Sequence, residues 1–173
     1  MHINLKYGLI TGIVYSFIIL ILYFLFGNSI TFTTSFFLDF VLLNLVLYIF
    51  LYFPISKKIN SLSEQRFYYG EGMKAGFTTA FVASVVIVIF TFIFYKYINT
   101  GFFNSIKEIT IPEINNSTKL DSMKKSSSIK TLIANSSPVT LMLQQFSFTI
   151  ISGMIASFIL AAFVSKKKAK HNS

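Results

Sequence analysis

The sequence predicts an all-α membrane protein with four transmembrane helices and a long extracytoplasmic loop between the third and the fourth. Three observations predict it. Composition is the first: 54% of the 173 residues are hydrophobic and 12% charged, with mean hydropathy +0.67, where an average soluble chain has about 25% charged residues. The second is that the apolar residues form continuous blocks, each long enough for the ~30 Å of hydrocarbon that about 20 helical residues cross. The third is that charge collects between the blocks rather than within them. Helix is the only spanning form these runs allow, because an open strand leaves backbone groups unpaired in lipid and a barrel needs short alternating segments. The whole chain, residues 1–173, reads as one four-helix transmembrane domain.

The first span, "YGLITGIVYSFIILILYFLF" (residues 7–26), carries no charge. Its apolar stretch exceeds the 7–15 residues of a signal-peptide core, and "FGNSITFTTS" after it offers no A-x-A-like cleavage site. It therefore reads as a retained helix. The second span, residues 36–55, holds one acid, Asp39, near its start. The third, residues 75–95, is uncharged and follows "YYGEGMK". The fourth, residues 139–164, is uncharged but contains Gln144 and Gln145. An outer loop over residues 99–138 and a basic cytoplasmic tail over 165–173 complete the plan.

Lysine and arginine set the orientation. Lys6, Lys57, Lys58, Arg66, Lys74 and the four lysines of the tail place nine basic residues on one side, against Glu64 and Glu71. The other side has six lysines, Lys96 just ahead of the long loop and five within it, against three acids in the loop, and the connection between the first two spans has no charge. The basic side is read as cytoplasmic, with both termini there.

The loop itself admits two readings. Pro112 is expected to interrupt any early helix. Thr118 followed by Asp121 has the capping-box spacing, and Leu120, Met123, Ile129, Leu132 and Ile133 recur at ragged helical intervals. An amphipathic helix on the membrane fits this pattern. So does a solvated serine-rich loop, since three consecutive serines dilute the apolar stripe. Asn115, Asn116 and Asn135 each begin an N-x-S/T sequon.

Small residues recur four apart on three spans: Gly8, Gly12 and Ser16; Gly76, Ala80 and Ser84; Gly153, Ser157 and Ala161. Such faces let helix backbones approach closely. They serve packing within one chain or dimerisation, and packing within the chain is the favoured reading. The second span has no such face, so it is expected at the periphery, with Val46 toward lipid.

Four polar residues are candidates for contacts at or within the membrane. Asp39 lies about one turn inside the outer boundary, where an acid complements a helix N-terminus; the alternative is a cation or proton pathway. Asn44 lies deeper and is expected to bond to another helix, as is one of the two glutamines. Glu71 and Lys74, three apart on a helix face, read as the polar head of the third span, with Tyr68 and Tyr69 as interface aromatics. A cytoplasmic docking point is the alternative for this pair. The tail "SKKKAKHNS" reads as a topology anchor, with anionic lipid heads as its alternative ligand.

No cysteine is present, and His2 and His171 have no ligand-spaced companion, so neither a metal nor another cofactor is expected. G-x-S-x-G, H-E-x-x-H and paired acids within the spans are also missing from the sequence, so catalysis is not expected. The reading is a non-enzymatic structural or accessory membrane protein. Its alternative is a subunit of a small-solute or ion carrier or channel. The partners expected are the lipid bilayer and either a second membrane protein or another copy of the chain; no nucleic acid and no small-molecule ligand are inferred.

The opening "KYGLITG", the "YYGEGMKAGFTTAFVAS" entry to the third span, its exit "FYKYINTGFF" and a last helix ending in lysines resemble one membrane family, the domain of unknown function 4199. The resemblance runs from about Leu5 to Lys168. It implies a four-helix protein of a bacterial inner membrane and carries over no catalytic residue.

Overall fold

The computed structural model describes residues 3–26, 32–64, 68–119 and 121–171, with side chains in the second helix described from Val41 onward. Every regular element among them is a helix: α1 (Ile3–Phe26), α2 (Phe32–Asn60), α3 (Tyr68–Ile93) continued by a π-helical turn (Phe94–Ile98), α4 (Phe102–Asn116), α5 (Ser122–Asn135) and α6 (Pro138–His171). α1, α2, α3 with its π turn, and α6 are long and apolar enough to cross a membrane.

α3 is the centre of the packing, against α1, α2 and α6. Its buried residues include Gly72, Ala75, Gly76, Ala80, Ala83 and Ser84, so its surface is low enough for three neighbours. Close approach is tightest where glycines meet it. A Cβ on Gly12 would stand 2.5 Å from the Cβ of Val86 in α3, and one on Gly153 of α6 would collide with the Cβ of Ala80. All nine residues of the three small faces are buried.

The second span is not peripheral. Leu43, Leu47, Leu51, Ile55 and Ile59 of α2 are fully buried, four apart, and Val46 is 2% exposed. The expectation of a lipid-facing Val46 is therefore corrected. The reason is complementarity: Ile59 and Ile55 direct their Cδ1 atoms at Gly72 and Gly76 of α3. A helix without small residues supplies the knobs for neighbours that have them.

Opposite these buried faces, each long helix shows lipid-like exposure. Val41, Leu45, Ile49 and Phe53 on α2, Phe77, Phe81, Val85 and Ile89 on α3, and Ile151, Ile155, Phe158 and Ile159 on α6 are all exposed. A water-soluble monomer rarely presents contiguous apolar surface of this extent, whereas a bilayer requires it.

The long connection, for which a helix and a solvated loop are both open in the sequence, holds two helices. α4 runs through Pro112 despite the lost amide donor. Pro112 and Glu108, whose carbonyl the ring leaves without its partner, are both exposed, so water can satisfy that oxygen. α5 starts one turn later than the Thr118 spacing suggested, because Asp121 is its N-cap and accepts from the Lys124 amide at 2.8 Å. Leu120 lies outside the described residues. α4 is tied to the end of α3 by rings: Tyr95 in the π turn lies 4.7 Å from Phe102 and 5.7 Å from Phe103. The lysine tail also differs from expectation, since α6 stays helical to His171. Lysine favours helix, and positive charge at a helix C-terminus suits its dipole.

Candidate functional site at the basic end

The ends of α2 and α6 and the start of α3 meet at one end of the molecule. Two charged assemblies hold them. In the first, the Glu71 carboxylate pairs with Lys74 at 3.0 Å and with Lys58 of α2 at 3.2 Å. The sequence pointed to Glu71 and Lys74 as neighbours; Lys58 turns the pair into a tie between the two arms of the α2–α3 hairpin. With Lys74 three-quarters exposed, this assembly lies at the protein's surface and not in its packed interior.

In the second, the Lys168 ammonium donates to the carbonyls of Ile59 at 2.8 Å, Asn60 at 3.2 Å and Leu62. It also sits 4.3 Å from the ring centre of Tyr68. The last carbonyls of α2 have no amide partner in their own helix; a cation supplies three donors and opposes the dipole's negative end. The Tyr68 face adds a cation–π contact. Tyr68 is 2% exposed, so it is a buried platform rather than the interface aromatic expected, while Tyr69 is exposed.

Sequence reasoning missed Lys168 because it stands in a run of lysines that composition treats alike. Helical register distinguishes it. Ala161 and Val164 are buried on the inner face of α6, and Lys168 follows them at seven and four residues.

Elsewhere, Gln145 of α6 donates to the Tyr15 hydroxyl of α1 at 2.9 Å, the interhelical bond expected of one glutamine. Asn44 is half-buried and engaged. Asp39 lies in α2, but its side chain is outside the described residues. Six buried or part-buried hydroxyls in the long helices bond back to carbonyls of their own helix: Thr11, Ser16, Thr79, Ser84, Thr149 and Ser157. At the opposite end, α4, α5 and the start of α6 border an open cavity of about 500 Å³, with Phe103, Ile106 and Leu132 among its apolar walls and Thr131, Asn135 and Gln144 among its polar ones. Among the described residues, no three His, Cys, Asp or Glu side chains gather.

These features define a class: an all-helical chain with four membrane-capable helices packed through small-residue faces and locked at one end by lysine. Residues 6–166 match the family model described as a protein of unknown function, DUF4199, and the chain belongs to that family. Searches of curated proteins and of solved structures each returned no match.

Proposed function

We propose that this chain is a non-enzymatic multi-pass protein of a bacterial inner membrane, acting as a structural or accessory partner of other membrane components. The observation that carries this reading is where six of the interior hydroxyls go. A solute path needs polar groups that converge and are open to a passing ligand. Thr11, Ser16, Thr79, Ser84, Thr149 and Ser157 instead serve carbonyls one turn back, a use that satisfies them locally. The space between the helices is taken up by the large side chains of α2 set against the small ones of α3 and α6. Purified protein in liposomes is therefore expected to pass no ions or small solutes. A reproducible flux abolished by Asn44→Leu would replace this reading with a carrier.

The same proposal places the basic end in the cytoplasm. Ser63 at that end and Ser127 on α5 are both exposed, and the chain has no native cysteine to interfere. In intact cells Ser63→Cys is expected to resist a membrane-impermeant thiol reagent, and Ser127→Cys to react wherever the reagent reaches the outer face. The reverse pattern would invert the molecule.

A further inference from the structure

We infer that the outer face of α6 is a binding site for an anionic phospholipid, with Lys166 and Lys167 on its phosphate and the apolar stripe above them along its acyl chains. Exposed residues on α6 follow one helical face: Ile151, Ile155, Phe158, Ile159 and Phe163. Lys166 and Lys167 continue that face without a break, and both are exposed. At 1.5 Å per residue, Phe163 lies only ~5 Å along the axis from Lys166, and the stripe from Ile151 to Phe163 covers about 18 Å. That is more than half of the ~30 Å hydrocarbon core, the depth of one leaflet. One helix face thus offers apolar contact over the length of a lipid tail and positive charge at the level of its head.

Lys168, next after them in sequence and in the same turn, is turned inward and held by α2 carbonyls and Tyr68. The run of lysines is therefore divided. Lys168 closes the protein, and Lys166 and Lys167 face the bilayer. Charge complementarity selects a lipid with a net negative head. Near a membrane each such lysine changes anionic-lipid affinity roughly fivefold.

This inference rests on the chain spanning the bilayer and is independent of its accessory role. The test uses the full-length protein passed through mixed micelles of phosphatidylglycerol and phosphatidylcholine, with retained lipid counted by mass. Wild type is expected to enrich phosphatidylglycerol. Lys166→Gln with Lys167→Gln should lower that enrichment by roughly fivefold per lysine, with helix content and melting unchanged, while Lys166→Arg with Lys167→Arg should preserve it. The headgroup alone, glycerophosphoglycerol, should fail to displace the lipid at matching concentration. Equal retention by the glutamine variant would overturn the proposal. So would equal competition by the free headgroup, which would make the site a simple anion site. Unchanged lipid retention with loss of a co-purifying acidic protein would assign this face to a protein instead.

Discussion

At the basic end, α2, α3 and α6 meet with fully buried Ile59, buried Gly72 and Ala161, and a lysine whose ammonium serves three carbonyls and a ring. At the opposite end, α5 has no buried residue, α4 has Phe103 and Ile106, and the two helices lean on each other around an open cavity. Both ends are helical, yet the first is packed closely throughout and the second is held mainly where α4 meets the end of α3. Regular secondary structure and tight packing are separate achievements. In lipid the first follows from the demand for internal backbone hydrogen bonds, and the second needs matched side-chain shapes.

The sharpest break in this contrast comes from glycine. Gly12→Leu or Gly76→Leu forces a side chain into space where even a Cβ stands 2.5 Å from its nearest neighbour. Each should cost about 3 kcal/mol or more, read as loss of the thermal transition in detergent by circular dichroism. Gly101→Leu, at the entry to α4 where a Cβ meets nothing within 4 Å, should stay within about 0.5 kcal/mol. Equal damage at both would dissolve the distinction between the ends.

Leu47→Ala, in the fully buried row of α2, should come next at about 2 kcal/mol. The lower end of the usual range applies because the unfolded helix remains in lipid, which leaves the cavity as the main loss. Leu132→Ala on α5, half-buried, should cost less than about 1 kcal/mol and leave the main transition in place. Chemical denaturation of the two variants in matched micelles gives the comparison directly.

Lys168→Met keeps the length of the side chain and removes its donors and charge. A loss of about 1–2 kcal/mol is expected, with Lys166→Met unchanged in the same melt. A tie between the two would mean the lysine run acts only through its total charge. The smallest effect belongs to Asp121→Ala. Loss of the N-cap should weaken α5 by about 1 kcal/mol, seen as faster amide exchange at Lys124 and its neighbours with no shift in the global transition.

Much of this architecture was legible in the residues. Spans declare themselves by length and hydropathy, and the faces of Gly8, Gly76 and Gly153 by their period of four. What was not legible shares one cause. Val46, Lys168 and Tyr68 are each of a residue type whose environment depends on which neighbour arrives, and one helix's periodicity holds no record of its partner. α2 looked peripheral because it lacks small residues, although a partner of small-residue helices has no need of them. Pro112 misled because the Glu108 carbonyl that it leaves without an amide is exposed, where water can take the amide's place. The Glu71 site was half read for the same reason: Lys74 is a neighbour in sequence, whereas Lys58 becomes one only when the hairpin closes.

The bond from Lys168 to the Ile59 carbonyl joins residues 109 apart in the chain. During synthesis the end of α2 is complete long before its donor exists, and α2–α3 must wait through α4, α5 and nearly all of α6. Tyr68 waits for its cation over the same interval. The final turn of α6 is thus the last piece of this packing to arrive, and until Lys168 is in place this end lacks the cation that its carbonyls and ring share.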